Sequence, residues 1–147
     1  MNSFQPDDVD WNIIDLLRSG AMSNNAVARE LNISEGTVRQ RIKRLKDADI
    51  LRVRGQINPD ILPRQQLAII GINLGDSRTL ENKAREIGDL QHVLSASIVS
   101  GRFDVMAEVL VDSNQGLVDF LTRQLSTVDG VISSETFLML KSFHRFV

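Results

Sequence analysis

The sequence predicts an α+β protein, an N-terminal (winged) helix-turn-helix followed by a ferredoxin-like βαββαβ domain. Three observations predict it. Ser34 to Ile50, SEGTVRQRIKRLKDADI, has the spacing of a basic amphipathic helix. A shorter helical pattern, Ser23 to Leu31, precedes it by only Asn32 and Ile33. Beyond Gln66, β-branched apolar runs alternate with two amphipathic stretches in the order strand, helix, strand, strand, helix, strand.

Taken in order, Asp7 or Asp8 can cap a first helix running to about Arg18, with Val9, Ile13, Leu16 and Leu17 as its buried stripe. Trp11 is expected to help cover the small core, and Gly20 to end the helix. The second helix presents Ala26, Val27 and Leu31 on one side. Asn32 then tolerates the left-handed backbone that turns the chain sharply. In the third helix Val38, Ile42 and Leu45 form the anchored stripe, and Gly36, Gln40, Lys43 and Asp47 fall opposite. Arg39 and Lys46 flank the outward face on one side, Thr37 and Arg44 on the other. Ser34 caps the helix start. Two short helices, a tight turn and a basic second helix make a helix-turn-helix. Ser34, Thr37, Arg39, Gln40, Lys43 and Arg44 are therefore the expected DNA-contacting residues, short groups for base edges and cations for phosphates.

Ile50 to Ile57, ILRVRGQI, alternates apolar and polar residues and reads as a strand. Arg52 and Arg54 share one side, either toward DNA backbone or toward water. Asn58-Pro59 and Pro63 mark a hinge. The expected organisation is residues 1–49 for DNA binding, 50–65 for strand and linker, and 66–147 for the ferredoxin-like domain. In that domain the expected strands are Gln66–Leu74, Val93–Ser100, Phe103–Val111 and Val131–Leu140. The expected helices are Thr79–Ile87 and Leu117–Leu125. Helices on one sheet face leave the other uncovered, and Ile98, Val109 and Phe137 are too apolar for open strands, so a partner sheet is expected there.

Composition narrows the classes. There is no cysteine, so disulfides and thiolate metal sites are excluded, and His92 and His144 lie far apart in sequence. No metal and no cofactor are expected. No apolar run is long enough to span a bilayer, and the acidic N-terminus does not resemble a signal peptide, so a cytoplasmic protein is expected. The net charge of −2 looks unsuited to DNA. Yet Arg39, Arg41, Lys43, Arg44, Lys46, Arg52 and Arg54 crowd one stretch against Glu35, Asp47 and Asp49. Local field governs phosphate attraction, not net charge. No nucleophile–base pair, phosphate loop or paired acid site can be assembled, so no enzyme is expected.

NISEGTVRQRIKRLKDADIL resembles the helix-turn-helix signature of the Lrp/AsnC (leucine-responsive/asparagine-regulator) family of transcription regulators. The likeness extends through DDVDWNIIDLL, the linker ending INPD, the loop SGRFD and the closing DGVISSETFLML. Asn32 stands where the family often has glycine. Pro63 stands where a small or flexible residue is usual, implying a stiffer linker. The resemblance implies dimers through the second domain, often assembled further into octamers or open helices. It also implies an effector pocket by the turn Gly101-Arg102-Phe103-Asp104, with Gly101 allowing close backbone approach. Asp104 would receive an α-ammonium group or orient the loop that does; a plain hairpin, with Asp104 bonding the turn, is the other reading. Thr136 is placed at the same pocket. The expected function is a sequence-specific transcriptional regulator whose assembly or DNA affinity responds to a small effector, an amino acid. The alternative is an architectural protein that wraps DNA without any effector.

Overall fold

The computed structural model describes residues 4–62 and 64–147. It divides into two compact units, Met1–Gly55 and Gln56–Val147. The expectation attached to Pro63 lies outside the described residues.

The first unit holds α1 (Asp8–Ser19), α2 (Asn24–Glu30) and α3 (Glu35–Asp47). Local chemistry sets each boundary. Asp7 and Asp10 form a reciprocal capping box on α1, each carboxylate accepting the other's amide. Ser23 and Ser34 cap α2 and α3 by accepting the amides of Ala26 and Thr37. Both inner helix ends close in the same way. Asn32, at φ 52°, donates its amide to Arg29 and Ile33 donates to Ala28. Asp49, at φ 55°, donates to Lys46 and Ile50 donates to Leu45. This paired bonding satisfies the orphan carbonyls of a helix end while one residue sits in the left-handed region. Ile13, Val27, Val38 and Leu45 are fully enclosed, and Leu51 closes the core.

Two expectations fail here. Trp11 is 51% exposed and stands outside the core, which Ile13 and Ile14 fill from α1. No strand forms over Ile50 to Ile57. Alternation alone makes no strand without a ladder partner: Ile57 exchanges backbone hydrogen bonds with Val147, and no strand extends from that one pair.

The second unit contains β1 (Gln66–Leu74), α4 (Leu80–Gly88), β2 (Val93–Ile98), β3 (Val105–Val111), α5 (Asn114–Asp119) and β4 (Val131–Leu138). The sheet is antiparallel with order β2-β3-β1-β4, the ferredoxin-like arrangement expected. Ser113 caps α5, which passes into a π-helical stretch, Phe120–Gln124, and a last 3-10 turn, Leu125–Thr127. A single α-helix over Leu117–Leu125 was the expectation. The difference has a packing cause: Phe120 and Leu125, five residues apart, both enter the core. An i→i+5 turn brings them to one side, as an α-turn would not.

Register assigns the sheet faces, because antiparallel partners share a side. Ile70, Ile72, Val105, Ala107, Val109 and Val111 face the helices and are enclosed with Ile87 and Phe120. Ile69, Gly71, Met106, Glu108 and Phe137 belong to the other face. Val109 therefore lies in the helix-covered core, contrary to expectation. Ile98 pairs with Val105, so it too belongs to the helix side, 47% exposed at the edge strand. Of the three residues expected on the open face, only Phe137 stands there, 42% exposed.

Candidate functional site

α3 brings its outward residues into one line along an exposed face. Ser34 Oγ and Thr37 Oγ1 share a 2.8 Å hydrogen bond at its N-terminus, and Gln40 and Lys43 follow, both exposed. A depression of about 790 Å3 runs along the helix, lined by Phe4, Gln40, Lys43, Arg44, Asp47, Ala48 and Asp49. Arg39 is paired with Glu35 at 2.7 Å and Lys43 with Asp47 at 2.6 Å. Both are exposed pairs four residues apart on the helix, worth only a few tenths of a kcal/mol. A DNA phosphate can displace such partners at little cost.

Arg41 and Arg44 are held differently. Arg41 Nη1 contacts both oxygens of Asp7, at 2.8 and 2.7 Å, and Oδ1 of Asp10 at 2.9 Å. Arg44 Nη2 donates to Asp10 Oδ2 at 2.8 Å, and its guanidinium carbon lies 4.4 Å from the centre of the Phe4 ring. Hydrogen bonds from Arg41 and from the Asp10 amide hold the Asp7 carboxyl below its ordinary value. The reciprocal bonds to Asp7 and Asp10 raise the Arg41 guanidinium. The sequence reading missed Asp10 and Phe4. A cluster of acids opposite a basic helix was the available signal.

In the second unit, the turn after β2 packs onto the open sheet face. Phe103 is nearly enclosed there because Gly71 has no side chain; a Cβ at that glycine would lie 2.5–2.6 Å from the ring carbons. An isolated glycine inside a strand signals such an approach, so Gly71 was readable from sequence. Phe137 meets Phe103 edge-on, with ring centres 6.1 Å apart. Arg102 lies 4.7 Å above the Phe103 ring and pairs with Glu135. A pocket of about 470 Å3 results, lined by Ile69, Val99, Ser100, Arg102, Phe103, Met106 and Phe137. It is mostly apolar, with one cation at the rim.

The remaining expected residues are placed as follows. Gly101 has φ 139°, a conformation that L side chains rarely adopt. Asp104 points its carboxylate at the sheet, accepting the Leu74 amide at 2.8 Å beside the irregularity at the end of β1. It acts as a turn bond in this structure and does not line the pocket. Thr136 pairs with Ile70 and so shares the helix-facing side of the sheet. The two-residue period of a strand puts it opposite the pocket, and its neighbour Phe137 occupies the place expected for it. No helix among the described residues is long and apolar enough to cross a membrane.

Comparison with known proteins agrees with both units. Residues 67–146 match the family described as Lrp/AsnC ligand binding domain, and residues 6–52 that described as winged helix-turn-helix DNA-binding. An uncharacterised helix-turn-helix-type transcriptional regulator of Pyrococcus abyssi is 31% identical over 92% of this chain and 86% of its own. The regulatory protein AsnC of Escherichia coli K12 is 25% identical over 97% of this chain and 95% of its own. The fold is also similar to that of a transcriptional regulator of Neisseria meningitidis solved in complex with L-Met. That likeness has a TM-score of 0.67 at 19% identity and covers 96% of this chain and 94% of that one.

Proposed function

The chain belongs to the Lrp/AsnC family of transcription regulators, and on that premise we propose that it reads a roughly two-fold symmetric DNA site through α3 and responds to an amino acid. Its N-terminal unit is a DNA-binding helix-turn-helix, its C-terminal unit a ligand-binding domain of that family, and the family consists of regulators rather than enzymes.

The observation carrying the DNA half is the line of exposed Ser34, half-buried Thr37, and exposed Gln40 and Lys43 on a capped helix, with Arg39 and Arg44 beside it. Thr37 and Gln40 sit near the helix start, where short side chains reach base edges; the cations take phosphates. At least a dimer presents this helix twice, with half-sites about one helical turn or a multiple apart. Phe137, Met106 and Ile69 on the open sheet face support a second copy there. Such a protein works in the cytoplasm, where DNA is accessible.

The effector half rests on the pocket around Phe103. Its apolar lining suits an aliphatic or thioether side chain, and Arg102 suits a carboxylate exchanging with Glu135. The effector-free architectural reading is favoured by one observation. Arg102 and Asp104 already have partners within the chain.

Two experiments test the proposal. Selection from a random duplex pool should return symmetric sites, and Gln40→Ala should change the preferred bases; identical recovered sites remove Gln40 from base reading. Titrating the common amino acids, while following thermal stability and oligomer size, should show at least one that shifts both. If none does, the architectural reading replaces the effector reading.

A further inference from the structure

We infer that Asp10 is a positioning residue for DNA binding: from inside the N-terminal core it holds the Arg44 guanidinium in place to meet a phosphate. The inference rests on the proposed role of Arg44 as a phosphate contact. Asp10 is the one charged residue among the described residues that is fully buried. A buried carboxylate is costly unless every lone pair is used, and here each oxygen has a partner. Oδ1 accepts from Arg41; Oδ2 accepts from Arg44 and, at 3.2 Å, from the Asp7 amide. Because Asp10 lies in α1, whose Ile13 and Ile14 are packed in the core, its carboxylate is a fixed point.

The two arginines differ in what they have left to offer. Arg41 is 24% exposed and gripped by two acids. Arg44 is 48% exposed, bonded to Asp10 through Nη2, and flanked by the Phe4 ring. One guanidinium nitrogen is anchored and one side is stacked, and Arg44 lines the depression along α3. A free arginine loses rotamer freedom when it binds a phosphate. Arg44 has lost much of it already, so less of the binding energy is spent on ordering.

The sign of the effect distinguishes this from general electrostatics. Removing a negative charge near DNA would by itself strengthen binding. Losing the anchor of Arg44 weakens it. The test measures binding to a mixed-sequence duplex across a salt series for the parent, Arg44→Ala, Asp10→Asn and the double variant, each checked for folding by circular dichroism. Arg44→Ala should flatten the log–log salt slope by about one unit. Asp10→Asn should weaken binding severalfold, flatten the slope toward the Arg44→Ala value, and add little in the Arg44→Ala background. Tighter binding by Asp10→Asn, an unchanged slope, or full additivity overturns the inference. If Arg44→Ala itself leaves the slope unchanged, the phosphate reading of Arg44 fails first, and this inference with it. Should Asp10→Asn not fold, Asp10→Glu decides: it keeps the charge and displaces the carboxylate from the Arg44 guanidinium by one methylene. Its expected result is weaker binding only while Arg44 is present; parental binding, or a loss that persists in Arg44→Ala, overturns the inference.

Discussion

Among the described residues the N-terminal unit buries one charge and surrounds it with arginines, whereas the C-terminal unit encloses an apolar core and carries an ion pair at the edge of an apolar pocket on its other sheet face. In the first, Asp10 is enclosed between Arg41 and Arg44. In the second, Ile70, Val105, Val109 and Phe120 fill the interior, and the pair Arg102–Glu135 lies at the edge of an apolar pocket. On the proposed function, the difference follows from the partners each is built to meet. A polyanion is met by cations held in fixed positions. A small molecule or a second sheet is met by apolar surface with a few polar groups for orientation.

The comparison breaks most readily at Gly71. Gly71→Ala drives a methyl group into the Phe103 ring, and overpacking of this kind costs about 1–3 kcal/mol. A lower melting temperature for the C-terminal unit is expected, with the salt slope of DNA binding unchanged; parental stability would mean that the ring moves aside freely. Next comes Asn32→Ala, which places an ordinary side chain at φ 52° and costs about 1–2 kcal/mol in the N-terminal unit. Asn32→Gly should cost much less, and urea unfolding of the two variants separates backbone strain from any loss of side-chain contacts. A smaller effect is expected of Lys43→Ala, since its pair with Asp47 is exposed. Stability should hardly change, while the log–log salt slope flattens by about one unit. An unchanged slope would remove Lys43 from the interface.

The smallest effect concerns acid. Asp7 has a folded-state value below its ordinary 3.8, caused first by Arg41. A lowered carboxylate contributes stability above its unfolded value and loses that contribution as pH falls through the folded one. Asp7→Asn should therefore melt below the parent at neutral pH, with the gap closing as the pH falls below 3.8. Asp76, lowered by Arg78, should give the same pattern in the other unit. A gap that stays constant through acid pH would show that Asp7 acts through its shape and not its charge.

Much of this was readable in the sequence because it is local chemistry. Asp7 and Ser34 cap the helices they precede, Asn32 adopts the left-handed turn, and β1 spans the residues its β-branched run marks out. What failed needed long-range pairing. β3 sets Met106, Glu108 and Leu110 on one face against the wholly apolar Val105, Ala107, Val109 and Val111 on the other, so the expectation for Val109 failed because it read residue type without strand parity. The same parity misplaced Thr136 relative to Phe137. Residues 50–57 alternate well and form no strand, since pairing partners decide where pattern only permits. Asp10 was legible only as an acid in a first helical turn; its two arginines lie thirty-one and thirty-four residues further along the chain.

The central claim is that the two units do separable work, one on DNA and one on a small effector. The most direct measurement is light scattering with a panel of amino acids on the parent and on Arg102→Ala, beside duplex binding by each protein without amino acid. The account predicts that an amino acid shifts the parent's oligomer size, that Arg102→Ala needs at least about tenfold more of it, a loss near 1.4 kcal/mol, and that both proteins bind DNA with the same salt slope. A variant that responds at the parent's concentration, or a parent that responds to no amino acid, would contradict it.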